Sequence, residues 1–353
     1  PHRAARPMNT MPDACALPSD SCPLFPPATR TGALARIGLI SNANSGCNRL
    51  HLGGVHRILS RHAGLRHVVT GSADEVRHAV AELAREHIDV LAINGGDGTA
   101  ASVLGHVLAQ APFATRPRVV LLPGGTVNMA ATAIGTGGDL LRAATRLSGW
   151  LSERPRPCTE VRQPILRVQL GDHGATHHGM FLGAGAVIKG TEYAHRRVHA
   201  MGLRGSESLG LALTRTLWGL QRRDPRFSHA VPVTLTLDDG PPLPQQDALI
   251  LLVSSLQRLS LGMCPFWGSE NGAVRLTLIR PQPARFLRSL PAVLRGRPGP
   301  HVSEQAGYLS HNAHQLSLLM DGTLNLDGEI HHVRQQDGPV RIASGGEFTF
   351  LRP

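Results

Sequence analysis

From Arg36 onward, short apolar runs alternate with segments whose apolar residues recur at helical spacing. Ser72-Ala-Asp-Glu75 has the spacing of a capping box and precedes one such apolar stripe, so it predicts the start of a helix. Strands that alternate with helices are typical of βαβ units around a parallel sheet. The predicted strands are Ile37–Ile40, Leu65–Thr70, Val90–Ile93 and Val119–Leu122.

Beyond about Arg154 the pattern becomes mainly β, with strict alternation of polar and apolar residues in Val231–Leu237. Alternation of this kind favours antiparallel sheets with one buried face. Helices are predicted between about residues 192 and 222 and between Ala284 and Leu294. Further strands are predicted at Ile165–Leu170, Ala248–Val253, Val274–Ile279 and Gln315–Met320.

Length and composition place the chain among folded proteins of two domains. It has 353 residues, 41% of them hydrophobic and 17% charged, which excludes a disordered chain. The net charge of +11 comes almost wholly from arginine, because Lys189 is the only lysine, and a Walker A loop is therefore excluded. The arginine excess reflects either a composition bias or attraction to polyanions such as an anionic membrane. An aromatic content of 4% argues against a nucleic-acid binder, so no nucleic-acid partner is expected.

Cysteine and histidine positions indicate neither a disulfide framework nor a zinc site. The cysteines are odd in number, without a C-x-x-C pair, which favours a reducing cytoplasm. His177-His178 and His331-His332 are adjacent pairs, and neighbouring residues of a strand face opposite ways, so neither pair holds one metal ion easily. Apolar runs fall short of the roughly 18 residues of a membrane span. The localisation expected is cytoplasmic, with peripheral contact at the inner face of a membrane.

Two glycine-rich turns each join a predicted strand to a predicted helix. They are Asn94-Gly-Gly-Asp-Gly-Thr99 and Pro123-Gly-Gly-Thr-Val-Asn128. Such turns let backbone N–H groups approach a phosphate at the positive end of a helix, and both lie at the carboxyl edge of one sheet. A carboxylate inside such a turn repels phosphate unless a cation lies between them, so Asp97 indicates Mg²⁺, directly or through water. The structural alternative is a tight turn in which Asp97 serves as a cap.

These turns, with two other segments, resemble the diacylglycerol kinase catalytic-domain family, which includes soluble bacterial lipid kinases and the sphingosine and ceramide kinases. The family carries N-P-x-S-G, G-G-D-G-T, L-P-x-G-T-x-N-D and D-G-E motifs in this order. Here they are similar to Asn42–Gly46, Gly95–Thr99, Leu122–Met129 and Asp327–Glu329, which span nearly the whole chain from Arg36. Without the family, Asp327-Gly-Glu329 would be interpreted as a hairpin turn.

The resemblance implies a lipid kinase in which ATP binds between the two glycine loops. It also implies that Asp327 or Glu329 acts as the base on a lipid hydroxyl, with Asp97 completing the catalytic set. The implied cofactors are ATP and Mg²⁺, and the implied partners are a lipid at the membrane surface and a second copy in a homodimer. The candidate nucleotide contacts are Asn42, Ser45, Gly46, Thr70, Gly95, Gly96, Asp97, Gly98, Thr99, Gly124, Gly125, Thr126 and Asn128.

The implied fold class is α/β + β. It comprises an N-terminal parallel-sheet α/β domain of the NAD kinase/diacylglycerol kinase type, an antiparallel β-sandwich-like domain, and a C-terminal segment that returns to the first domain. The domain boundaries predicted are a disordered tail over 1–34, a nucleotide-binding domain over 35–155, a substrate and catalytic domain over 156–334, and the returning segment over 335–353.

Several positions depart from the family pattern. Ala43 replaces a loop proline, Ala101-Ser102 replaces Asn-Glu, and Met129 replaces an aspartate. Asn271 stands where bacterial relatives use an aspartate for a structural Mg²⁺, so we expect a degenerate second ion site that is weak or empty.

The departures keep two alternatives open, an NAD kinase-like phosphotransferase and a catalytically weak nucleotide-binding regulatory protein. Lys189 is either a phosphate contact or a surface group. The arginine-edged apolar stripe of residues 283–298 predicts a helix that lies either on a membrane or on the β domain.

Overall fold

The computed structural model describes residues 36–152, 158–186, 188 and 230–353. The first lobe contains four strands, which form a parallel sheet in the order β2-β1-β3-β4. The strands are β1 (Ile37–Asn42), β2 (Leu65–Thr70), β3 (Val90–Gly95) and β4 (Arg118–Pro123). The helices are α1 (Asn48–Leu59), α2 (Ala73–Arg85), α3 (Asp97–Gln110), α4 (Met129–Ile134) and α5 (Leu140–Ser152).

Helices cover both faces of this parallel sheet. Apolar side chains of α2, α3 and α4 bury one face, and those of α1 and α5 bury the other. The predicted capping box begins α2, because the Ser72 hydroxyl accepts a hydrogen bond from the Glu75 amide at 3.2 Å. The Glu75 carboxylate accepts from the Gly71 amide at 2.7 Å, one residue earlier than a standard box. The helix prediction is therefore confirmed.

The second lobe is a sandwich of antiparallel sheets. One sheet has the order β12-β11-β10-β7-β14-β15, and the facing sheet contains β5, β6, β8, β9, β13 and β16. Their apolar inner faces meet in one core. The strands are β5 (Thr159–Leu170), β6 (Thr176–Gly179), β7 (Phe181–Gly185), β8 (Val231–Leu237), β9 (Gln246–Ala248), β10 (Ile250–Ser254), β11 (Val274–Ile279), β12 (Tyr308–Ala313), β13 (Gln315–Met320), β14 (Gly322–Leu326), β15 (Glu329–Val333) and β16 (Val340–Arg352).

The long strand β16 belongs to both lobes. It pairs antiparallel with β5 along its whole length and with β13 at its beginning. Near its end, Phe350 lies beside Val119 of β4 in parallel register. A register shift between Ser344 and Gly346 marks a bulge, which bends a strand. The fold class is thus confirmed, including the return of the C-terminal segment, although that segment is also a strand of the sandwich.

The structure corrects some sequence predictions of the second lobe. The predicted strand Ala248–Val253 is interrupted at Leu249, where the chain leaves β9 in one sheet and enters β10 in the other. An apolar run carries no information about such a change of sheet, so the sequence showed one strand. Cys264 is disulfide-bonded, a pairing that the cysteine spacing did not indicate. Lys189 and the helix predicted near 192–222 lie outside the described residues.

The predicted second-lobe helix is α6 (Phe286–Leu294), which packs against the sandwich through Phe286 and Val293. Leu287 of the same helix is 48% exposed, so part of the apolar stripe remains open. Within the described residues, every helix is too short or too polar to span a bilayer.

Candidate active site

Three strand ends bring the sequence motifs to one edge of the parallel sheet. Asn42 at the end of β1 lies opposite Thr70 of β2, and Gly95 at the end of β3 lies opposite Pro123 of β4. Parallel strands end at the same edge, so the loop after β1 and the two glycine loops adjoin each other. The structure thereby brings together the first three motifs.

The two glycine loops touch through their backbones. A Cβ placed on Gly125 would collide with the Cα of Gly96, and one placed on Gly46 would collide with the Thr126 hydroxyl. Only a residue without a side chain permits such an approach. The glycines leave only a narrow cleft, whose lining includes the side chains of Leu121 and Asn128 as well as the main chain that a phosphate chain contacts in glycine-rich loops.

Asn48, in the first turn of α1, ties the loops together. Its side-chain amide donates to the carbonyls of Asn42 at 2.8 Å and Asn94 at 3.0 Å, while its main-chain amide donates to the Gly124 carbonyl at 3.2 Å. The side-chain oxygens of Asn48 and Asn94 are buried without a hydrogen-bond partner. Asn48 was not among the predicted site residues, because its burial and its partners are set by the folded sheet.

Polar side chains near the mouth of the cleft converge on Thr99. The Asn42 amide donates to the Thr99 hydroxyl at 2.9 Å, and the Ser45 hydroxyl lies 3.5 Å from it. Thr70 is only 2% exposed, and its hydroxyl points to the carbonyl of Ser41 at 3.5 Å. Asn128 begins α4 and accepts from the Gly125 amide at 2.8 Å, which holds the second glycine loop closed.

The carboxylate of Asp97 joins the two glycine loops. Its oxygens accept hydrogen bonds from the amides of Met129 at 3.0 Å and Ala130 at 2.8 Å, so it caps α4 across the cleft. Burial raises the pKa of Asp97, and these backbone hydrogen bonds oppose the shift. The capping alternative considered for Asp97 therefore describes its contacts, with the difference that the capped helix is α4 and not α3. Its assignment to Mg²⁺ stays a prediction.

Asp327 occupies a tight hairpin turn between β14 and β15. Asp327 and Gly328 both have positive φ, 46° and 100°, as a two-residue turn of type I′ requires. The Asp327 carboxylate accepts from the amides of Met180 at 2.7 Å and Phe181 at 3.1 Å. A Cβ placed on Gly98 would lie 3.4 Å from the Asp327 carbonyl oxygen, so the turn abuts the first turn of α3. The late motif and the glycine loop thus meet between the lobes.

The electrostatics of Asp327 differ from those of Glu329. Burial raises the pKa of Asp327 well above its usual range, repulsion by Asp97 adds to this, and the hydrogen bonds from Met180 and Phe181 oppose it. The Glu329 side chain is 74% exposed and lies 3.7 Å from the Nε2 of His331. Of the two carboxylates, Asp327 is the one beside the glycine loops.

The residues that depart from the family pattern lie either in the core of the first lobe or on the surface. Ala101 is buried in α3, and the Met129 side chain packs on the core of the first lobe. Asn271 is exposed, whereas the neighbouring Glu270 carboxylate accepts from the Asn312 amide at 3.0 Å and contacts His311. The degenerate ion site at Asn271 stays a prediction.

Comparison with known proteins agrees with this geometry. Residues 36–155 match the family model of the diacylglycerol kinase catalytic domain. A structure described as a diacylglycerol kinase from Bacillus anthracis str. Sterne has 16% identity and a TM-score of 0.56, over 90% of this chain and 97% of that one. A candidate diacylglycerol kinase from the same strain has 17% identity and a TM-score of 0.59, with the same coverage. No curated protein matches the chain.

The family-model match over residues 36–155 confirms the resemblance noted in the sequence for this part of the chain. At identities of 16–17% the solved structures establish the fold alone, which extends through both lobes.

Proposed function

We propose that this protein transfers the γ-phosphate of Mg²⁺·ATP to a hydroxyl of a diacylglycerol-like membrane lipid. The observation that carries the proposal is the position of the Asp327 turn, which the sandwich lobe holds against the first turn of α3. A phosphate site and a carboxylate base from separate lobes then face one cleft, as transfer to a hydroxyl requires.

We place the nucleotide phosphates at the mouth of the cleft, because the glycine loops themselves are in contact. α3 has 14 residues, and its N-cap Gly96 offers no side-chain cap, so its positive end is open to an anion. Gly96 is half-buried and Gly98 is exposed, and because both lack side chains a phosphate can approach their main chain closely. The hydroxyls of Thr99 and Thr126 add donors beside them.

A divalent cation suits the carboxylates at this place. Asp97 and Asp327 repel each other enough to raise the pKa of Asp327. Mg²⁺ is usually held by one or two carboxylates together with substrate phosphates, and Asp97 would supply the carboxylate, which leaves Asp327 for the acceptor hydroxyl. The ion would neutralise the charge that develops on the transferred phosphoryl group. Asp97 would hold the ion while its carboxylate still accepts the two hydrogen bonds that cap α4.

Asp327 is the base that we propose for the acceptor hydroxyl. The hydroxyl oxygen forms a bond to the γ-phosphorus, the bond from that phosphorus to the bridging oxygen breaks, and ADP leaves. The hydroxyl proton passes to the Asp327 carboxylate, whose raised pKa makes it a stronger base than an ordinary aspartate. Glu329 is exposed and lies beside His331, so we assign it no proton transfer.

The acceptor would reach the cleft from a membrane surface. Leu287 of α6 is 48% exposed and is followed by the exposed Arg288, while Phe286 and Val293 fix the helix on the sandwich. An exposed apolar side chain beside arginine favours shallow contact with anionic lipid. We therefore expect faster transfer on anionic vesicles than on neutral ones.

The test is transfer of labelled γ-phosphate from Mg²⁺·ATP to vesicles that contain diacylglycerol, sphingosine, ceramide or phosphatidylglycerol, and to NAD in solution. Asp327→Asn should lower kcat about 100-fold or more, because a positioned base is lost. The kcat of Glu329→Gln should stay within about threefold of that of the unchanged chain, because we assign Glu329 no proton transfer. Asp239→Asn, an exposed carboxylate in another turn, is the matched control.

The outcomes separate the alternatives. Binding of a fluorescent ATP analogue by Asp327→Asn shows that the cleft is intact, so a lost rate then reports chemistry. Labelled NADP would move the protein to the NAD kinase reaction. Nucleotide binding without any labelled product would contradict the lipid kinase and favour a regulatory nucleotide-binding protein.

A further inference from the structure

We propose that His177, Glu329 and His331 form a binding site for a divalent transition-metal ion of the zinc class. These residues come from two strands of opposite sheets, β6 and β15. One ligand atom from each lies within 4.8 Å of the other two, the one such trio in the described part of the chain. The site needs no nucleotide, and its three residues are not those proposed to bind the phosphates or to accept the proton.

Strand geometry explains why these three residues meet. Glu329 and His331 are two apart on β15, so their side chains share one face, and His332 takes the opposite face, where its Nδ1 lies 3.4 Å from the Thr323 hydroxyl. On β6, His178 packs against Gly105 of α3, which leaves its neighbour His177 to face β15. The rings of His177 and His331 lie with centroids 4.5 Å apart.

An unpaired buried nitrogen supplies an independent reason for a ligand. The His331 side chain is only 15% exposed, and its Nε2 is buried without a hydrogen-bond partner. A buried polar atom of this kind is uncommon in folded proteins and indicates that an ion or a water molecule binds to it. The nearest carboxylate oxygen, Oε2 of Glu329, lies 3.7 Å away, beyond a hydrogen bond but close to the spacing of two ligands around one ion.

Two imidazoles and one carboxylate select the type of ion. Zinc binds this donor set at about 2.0–2.2 Å and keeps a fourth position for water, whereas Mg²⁺ prefers oxygen ligands alone. Tetrahedral ligand atoms at such distances lie about 3.4 Å apart, so the exposed Glu329 side chain must move slightly closer to His331 than its present 3.7 Å. The bound ion would join the two sheets beside the Asp327 turn.

The test measures zinc uptake by the full chain. Zinc is titrated against a chromophoric chelator, and X-ray absorption of the zinc-loaded protein reports its ligands. We expect His177→Asn and His331→Asn each to lose one zinc equivalent, or to bind it at least about tenfold more weakly. His332→Asn is the matched control, since this residue is adjacent in sequence but faces the other way, and it should bind as the unchanged chain does.

Thermal unfolding with and without zinc keeps the proposal testable if a variant is less stable. Zinc bound only to the folded state raises Tm, and this rise should occur in the unchanged chain and in His332→Asn, but not in the other two variants. Equal uptake by all four proteins, or a sulfur ligand in the absorption spectrum, would overturn the site. Uptake of Mg²⁺ in place of zinc would also overturn it.

Discussion

Asp327 forms part of a hairpin turn through its backbone and part of the candidate active site through its carboxylate. Its positive φ of 46° belongs to the hairpin, while its carboxylate is turned back to the amides of Met180 and Phe181. Asp and Gly are favoured in type I′ turns because both accept positive φ. The hairpin interpretation and the catalytic interpretation of Asp327-Gly-Glu329 are therefore compatible, and the position of the carboxylate distinguishes Asp327 from Glu329.

We expect the rate of transfer to depend on the pKa of Asp327. A base works when deprotonated, so kcat/KM should fall as the pH drops through a value above the usual range of an aspartate. Glu329→Gln removes another negative charge that raises this pKa and leaves Asp97 in place, so the fall should move slightly to lower pH. The pH profiles of the two proteins give the measurement, and identical acidic limbs would contradict the assignment of Asp327.

The same pKa has the opposite effect on stability. An acid whose pKa is raised by folding binds more protons when folded, so its contribution to the free energy of unfolding decreases as pH rises through that window. Activity and the Asp327 contribution to stability should therefore change in opposite directions with pH.

At the scale of elements, the glycine loops depend on close contact of main chain. Gly125→Ala should cost about 1–3 kcal/mol, because the new Cβ collides with Gly96, and it should weaken ATP binding. Gly53→Ala is the control: this exposed glycine in α1 has nothing within 4 Å of an added Cβ, so alanine should stabilise the helix by about 0.5–1 kcal/mol. Urea unfolding and ATP titration measure both effects, and equal changes in the two variants would refute the contact.

The elements also show what the sequence could predict. Val231–Leu237 and the ends of β3 and β4 were predictable, since alternation and glycine turns mark them locally. Asn48 was missed because its partners come from three loops that only the folded sheet brings together. The His177–His331 pairing was missed because strand alternation within each pair says nothing about two strands of opposite sheets.

At the scale of the whole molecule, β16 couples the lobes. Phe348 and Phe350 are among the largest fully buried side chains, and both pack in the core of the first lobe. Phe350→Ala should cost about 3–5 kcal/mol through the cavity that it leaves. Leu50→Ala, at a side chain 65% exposed, should change stability by no more than about 0.5 kcal/mol.

Hydrogen exchange locates the effect of Phe350→Ala. Because β16 is a strand of both lobes, amides of β4 and of β13 should lose protection together. Loss confined to β4 would mean that the lobes unfold independently.

The pairing of Phe350 with Val119 means that the edge of β4 can be completed only at the end of translation. The ribosome synthesises Val119–Leu122 long before β16. The edge of β4 that pairs with β16 is therefore unpaired while the residues of the sandwich are being translated. An unpaired hydrophobic edge is where nascent chains aggregate. Production of this protein in cells should therefore depend on chaperones that shield β4 until translation reaches Phe350.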